Sequence, residues 1–270
     1  MGGYDQQTLR TAAETAAVAE LSYLDNDGSP RIEPLTPLLL EKEPAFALPY
    51  SRIDLAYQLE KSPRVSLAFS DSRLARVGWS PLAVEGTMEV TADLEGDLFL
   101  EEPLYWELRK FWPSRQLLGS LMLRRDNWWF VPRLILRFTE RHTPRPIARR
   151  TEPDHGILAR KTGYAPTSHV VRVEDWESER PAVWPLPPEA SLPGDGPAAL
   201  LYHDFSIPDR EQRSALHLSG LLDGGRLRVA RREGSRALGD RPGIIARWRA
   251  QKDLEKRCRN GLKDQRWGEG

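Results

Sequence analysis

Apolar residues recur at helical spacing from the start of the chain. In residues 5–20, Leu9, Ala12, Ala13, Ala16 and Ala17 fall on one face, which predicts an amphipathic helix. The period then changes to two. Alternating runs flank Asn26-Asp27-Gly28, and Asp-Gly between such runs predicts a hairpin, because glycine accepts the positive φ of a tight turn. Pro34 and Pro37 withhold backbone donors, so the second strand is bent or at an edge. AFALPY predicts a short strand. Residues 51–61 predict a helix, with Ser51 as N-cap and Ile53, Leu55, Ala56 and Leu59 as its apolar face. Ser62-Pro63 stops it. RVSLAFS and SPLAVEGTMEVTA predict two strands. DLFLEEPLYWELRKFW predicts a helix broken at Pro103 and stopped at Pro113, and WWFVPRLILRF a long strand.

The order over residues 1–140 is therefore helix, three strands, helix, two strands, helix, strand. Close sequential connections between strands point to a mainly β, α+β chain built on a small antiparallel barrel, not to a doubly wound parallel sheet. Residues 151–200 are proline-rich and predict an irregular connecting segment. After it come a strand (AALLYHDFS), a hairpin turning at Asp223-Gly224-Gly225, and a helix over 243–262 with Ile244, Ile245, Trp248 and Leu254 facing inward, as a cap on a second domain. VSLAFSDSR followed by LAVEGTMEV has the layout of AALLYHDFS followed by LHLSGLLDGGRLRV. Two readings stand: a degenerate second copy of the first half, or chance likeness between hairpins. The units expected are 1–150, 151–200 and 201–270.

Composition narrows the class. The chain has 270 residues with 40% apolar content, enough for a sizeable core. The sequence has no apolar run long enough for a membrane span and no signal-like start, which predicts a cytoplasmic protein with no membrane partner. Its one cysteine, Cys258, excludes a disulfide framework. Charge sums to zero but is uneven: residues 85–107 carry eight acids and no Lys or Arg, whereas residues 226–259 carry twelve bases against four acids. Solvated faces and halves packing on each other both account for this.

Four consecutive pieces of the chain, three within residues 17–90 and a fourth at 128–138, resemble the pyridoxamine 5′-phosphate oxidase-like, FMN-binding split-barrel family. The pieces are AVAELSYLDNDGSPRIEPLTPL, AFALPYSRIDLAYQLEKSPRVSLAFS, GWSPLAVEGTMEV and, more loosely, WWFVPRLILRF. The resemblance implies a split β-barrel, with Ser51 and Arg52 holding the FMN phosphate and Arg31 reaching the same anion. It also implies that the backbone of Ala47, Leu48 and Pro49 runs beside the isoalloxazine ring. The residues agree with an anion site, since a strand hands over to a helix N-terminus at Ser51-Arg52 and arginine offers a bidentate fork; a plain N-cap beside a surface arginine is the alternative. Trp79, Trp128, Trp129 and Arg133 are further candidates, either against the ring or as core and interface residues. The sequence departs from the family where Ile53 replaces a lysine and Leu48 a threonine, and the strand-to-helix loop is one residue short. These departures open three readings: an FMN-dependent oxidoreductase acting on a small molecule, a deazaflavin-dependent reductase, and a non-catalytic binding protein without the phosphate clamp. The resemblance further implies a homodimer, or a pseudo-dimer within one chain.

Other chemistry is thinly represented. The five histidines show no metal-ligand spacing, so no metal is expected. His203, Asp204 and Ser206 predict a turn with local hydrogen bonds. No glycine-rich nucleotide motif occurs, the basic C-terminal helix is interrupted by Asp253 and Glu255, and no nucleic-acid partner is expected. No side chain stands out as a catalytic acid or base.

Overall fold

The computed structural model describes residues 6–75, 79–111, 114–115, 128–192, 194–241 and 243–264. Helix α1 (Gln6–Thr15) buries Leu9, Ala12 and Ala13. Strands β1 (Ala19–Leu24) and β2 (Pro30–Leu35) form the expected hairpin. Gly28 has φ 73°, and the Asp25 carboxylate accepts from the Asp27 and Ser29 N–H groups inside the turn. A short strand absent from the sequence-based expectation, β3 (Leu38–Leu40), pairs β4 (Glu43–Pro49) through a tight turn at Glu41-Lys42. A 3-10 turn over Tyr50–Arg52 leads into α2 (Ile53–Lys61). The predicted Ser51 cap is not made: Arg52 is the N-cap residue of α2, Pro49 precedes the 3-10 turn, and neither caps through its side chain. There follow β5 (Arg64–Phe69), β6 (Leu82–Asp93), α3 (Asp97–Glu101), α4 (Pro103–Lys110) and, after a 3-10 turn at Trp128–Phe130, β7 (Arg133–Thr139). Pro103 restarts the helix as N1 of α4; Pro113 lies outside the described residues.

The strand order is β2-β1-β5-β6-β7-β4-β3, all antiparallel, with β8 (Arg145–Pro146) on β6. The end strands β2 and β3 are joined by only Thr36-Pro37, so the sheet must curl back on itself. Yet β2 and β4 do not pair, and the barrel is split along that seam. The bent or edge strand expected from its prolines is β2, at one side of the split.

Residues 151–200 are not an irregular connector. They hold β9 (His155–Thr162), β10 (Ala165–Glu174), β11 (Ala182–Pro185) and the start of β12 (Gly196–Phe205). With β13 (Arg213–Asp223) and β14 (Arg226–Gly234) they close a six-stranded barrel, in the order β10-β11-β14-β13-β12-β9. Its interior packs Leu158, Val171, Trp176, Leu200 and Leu218. The barrels meet through their outer faces, Ile32, Ala68 and Ala83 of the first lying among Ile157, Ala159, Val170 and Leu201 of the second.

Helix α5 (Ile244–Lys263) reverses an expectation. Ile244, Ile245 and Trp248 are exposed, and the helix caps the first barrel instead of the second. Leu254, Cys258 and Leu262 join the first barrel's core, because Gly261 lets the helix axis approach the Tyr50 backbone. A Cβ at Gly261 would stand 2.2 Å from the Tyr50 carbonyl oxygen. Gly261→Val should therefore undock the helix and lower stability by about 1–3 kcal/mol, the usual cost of overpacking. In urea unfolding of both variants, Gly239→Ala, with nothing within 4 Å, should be neutral.

Candidate functional site

The split in the first barrel opens into a cleft of about 350 Å³. Its walls come from Pro34–Thr36 of the β2 edge, Phe46–Pro49 of β4, Phe111 beyond α4, and Leu254 of α5. Ser51 and Arg52 border it at the strand-to-helix turn. Five residues expected from the sequence thus come together here: Ala47, Leu48, Pro49, Ser51 and Arg52. Arg31 lies in a neighbouring pocket of about 250 Å³ with Tyr23, Glu33 and His217, where Asp25 holds it at 2.9 Å. Trp79 is buried in the first barrel's core beneath the Arg149 guanidinium, away from the cleft. Trp129 is likewise core, whereas Trp128 is exposed.

Four guanidinium groups border the cleft, and each is held differently. Arg52 pairs with Glu33 at 3.0 Å on the surface. Arg257, exposed on α5, pairs with Asp253 one turn back at 3.0 Å. Arg213 arrives from β13 of the second barrel, donates to Thr36 Oγ1 at 3.1 Å, and stacks 4.5 Å over the Phe111 ring. Arg133 is buried between the rings of Phe99 and Phe130, 4.3 and 3.8 Å from their centroids. Its ion pair with Glu107 is long, at 3.8 Å, and its Nε has no hydrogen-bond partner. Burial pushes the Arg133 guanidinium below the usual arginine range, against the pull of Glu107. Among the described residues lining the cleft Glu107 is the one acid, so there arginine outnumbers carboxylate four to one. Apolar walls with convergent cations suit an anion carrying a flat apolar body.

Arg213, Arg257 and Glu107 come from three distant elements, and no local motif marks them. Glu107 sits in the acidic stretch and Arg257 in the basic one, so the charge asymmetry was the only trace.

A second polar cluster lies buried between the barrels. His203, expected in a local turn, is on β12 and bonds across the chain: its ring approaches Glu20 Oε1 at 2.9 Å and Arg150 at 2.9 Å. Glu20 also accepts from Ser70 Oγ at 2.6 Å, and Arg150 pairs with Asp71 at 2.6 Å. Arg73 binds both Asp71 and Asp204. Burial pushes the Glu20 carboxyl up to about 7, with Arg150 pulling it down. Burial and then Arg150 hold the His203 imidazole well below its usual range. Burial alone would raise Asp71, but bonds from Arg73 and the Arg150 charge keep it below the carboxylate range.

The cluster contains Glu, His and Asp, yet no group of three or more potential metal ligands is assembled among the described residues. No helix there is long and apolar enough to cross a membrane.

Comparison with known proteins gives weak likenesses. No protein-family model matches the chain, and no curated protein matches it. Among solved structures, a heme-binding protein from Mycobacterium smegmatis aligns over 94% of this chain and 97% of its own, at 14% identity and TM-score 0.35. HutZ, a heme storage protein from Vibrio cholerae, aligns over 54% and 95%, at 12% identity and TM-score 0.36. An FMN-binding protein from Syntrophomonas wolfei aligns over 54% and 90%, at 14% identity and TM-score 0.31. At such scores these likenesses decide nothing about ligand or activity.

Glu20 yields a pH prediction with a defined sign. Its carboxyl keeps a proton in the folded state up to about 7, whereas its ordinary value is 4.5. The folded state binds more protons between those values, so this group's contribution to stability is lost as pH rises through the window. His203 acts oppositely below 6.5, its ordinary value. Comparing wild type with Glu20→Gln isolates the glutamate. The variant should gain stability relative to wild type between pH 5 and 8, by a few kcal/mol at about 1.4 kcal/mol per pKa unit, read by urea unfolding at each pH. A gap independent of pH defeats this account.

Proposed function

We propose that the cleft binds an anionic cofactor of the flavin mononucleotide kind and that the protein is a flavin-dependent oxidoreductase acting on a small molecule. The observation that carries this reading is the convergence of Ala47–Pro49, Ser51 and Arg52 with Arg213 and Arg257 around one apolar cleft. The residues fit the group. Arg52, Arg213 and Arg257 supply charge for a phosphate. Leu35, Leu48, Phe111 and Leu254 supply apolar surface for a ring. The two departures at Leu48 and Ile53 remove donors at the turn, and Arg213 and Arg257 replace that charge from other elements. When bound, such a cofactor supplies hydride or electron-pair transfer, while the chain orients it and keeps water off one side. A heme is less well suited: among the described residues lining the cleft none is His, Cys, Met or Tyr, the usual axial ligands.

A second reading draws on two ion pairs. Arg31 and Arg52, the expected phosphate ligands, are each already held by a carboxylate, Asp25 and Glu33. A binding protein without the clamp would look the same.

Titration of the purified protein into FMN, followed by quenching of flavin fluorescence, separates the two. The flavin reading expects saturable quenching, weakened roughly 10- to 100-fold in Arg52→Ala and by a similar factor in Arg213→Ala, since a hydrogen bond to a charged group contributes about 1.5–3 kcal/mol. Absence of quenching favours the second reading, and quenching by a deazaflavin alone moves the assignment to that cofactor.

A further inference from the structure

The second barrel repeats the first. Strand for strand, β10-β9-β12-β13-β14-β11 has the connectivity of β2-β1-β5-β6-β7-β4. The registers set which residues correspond. Val65 lies opposite Gly86 in one half, and Ala198 opposite Gly220 in the other. Neither glycine has room for a Cβ, which would stand 2.6 Å from the Phe138 ring at Gly86 and 1.9 Å from the Arg228 carbonyl oxygen at Gly220. The same offset lays Phe69-Ser70-Asp71 on Tyr202-His203-Asp204. Thr87 pairs Thr139 as Leu221 pairs Arg228, and Ala45 pairs Arg137 as Ala182 pairs Arg226. The cleft segment 47–52 therefore corresponds to 184–189.

An independent check supports this correspondence. The hairpin registers place Glu33 on His169. The side-chain contact Arg52–Glu33 then recurs as Glu189–His169, at 2.8 Å, with the acidic and basic residues exchanged between the two positions.

Three differences disarm the second copy. Glu189 stands where Arg52 does and is held by His169 and Arg145. Pro187 and Pro188 replace Tyr50 and Ser51, removing two backbone donors and two hydroxyls. The seam left open between β2 and β4 is closed between β10 and β11, where Val171 pairs Pro185 and Arg172 pairs Trp184. These pairs occupy the positions of the first cleft's walls. The facing surfaces also differ. Glu20, Ser22 and Ser66 of the first half correspond to Ile157, Ala159 and Ala199 of the second, so each half complements the other and not itself.

We infer that the chain is an internally duplicated pseudo-dimer with one working cleft. It binds one anionic ligand per chain without a second copy; the second half has lost its own clamp and lends Arg213 to the first. The stoichiometry rests on the anion-binding reading given above.

The test combines light scattering on the eluting full chain with calorimetric titration by FMN, and by inorganic pyrophosphate as a second probe. The expected results are a mass near 30.7 kDa and one ligand per chain. Binding should weaken about tenfold or more in Arg52→Glu and stay unchanged in Glu189→Gln, both variants being checked for wild-type circular dichroism. A mass near twice that of the chain overturns the pseudo-dimer. Two ligands per chain, or binding lost in Glu189→Gln and retained in Arg52→Glu, overturns the single cleft. If neither probe binds, the anion-binding reading fails and the count of one with it, while the mass still decides the pseudo-dimer.

Discussion

Everything in this molecule hangs on the seam between its two barrels. The outer faces that meet there carry small apolar residues, Ala68, Ala83, Ala159 and Ala199, which let two sheets approach closely. Among them sit Glu20, Asp71, Arg150 and His203, all almost fully buried. Leaving one of these without a partner costs more than the pair contributes, so the network tolerates essentially one docking geometry. Its members come from β1, the loop after β5, the segment before β9, and β12. No one barrel can satisfy it alone. The network therefore specifies which face docks on which, while the apolar contacts supply the drive.

That docking determines where a ligand can go. The first sheet is forced to curl by the two-residue link between β2 and β3, but it does not close, and the split remains as a cleft. The second barrel brings Arg213 to its rim, and α5 covers one side with Leu254 and Arg257. The second barrel spends the equivalent edge on strand pairing. The two barrels thus carry one open seam and one sealed seam, and the difference lies in the β10–β11 pairs and in the residues just after β4 and β11.

Much of the first barrel was legible because its signals are local. Asp27-Gly28, the alternation from Leu82 to Val90 and the breaks at Pro63 and Pro103 act within a few residues of themselves. Residues 151–200 mislead because their proline content predicts an irregular connecting segment over the whole stretch. Most of those prolines sit at strand ends and in turns, and β9 and β10 between them are ordinary alternating strands. The C-terminal helix misled for a different reason. Its large apolar residues, Ile244, Ile245 and Trp248, lie at the N-terminal end, whereas docking depends on Gly261 at the other end, a residue with no side chain to announce it. The cleft was half legible: the 47–52 segment is contiguous, but the arginines that complete it are brought together by the fold alone.

The graded pairing of those arginines bears on how the cleft could take an anion at all. Arg133 is fixed: it is buried between two aromatic rings, and moving it would strip a charge of its surroundings. Arg52 is different. Its partner Glu33 is near the surface, where an ion pair is typically worth about 0–1 kcal/mol, and a dianionic phosphate can displace it at small cost. Positive charge at the cleft does not come from the 51–53 turn alone, because Arg213 and Arg257 border it too. Arg213 already leans on Phe111 and Thr36 at the rim, so little side-chain freedom is left to lose when an anion arrives. The cleft draws its charges from β13 and α5 as well as from the turn after β4, so its lining stays assembled only while the two barrels and the terminal helix stay docked.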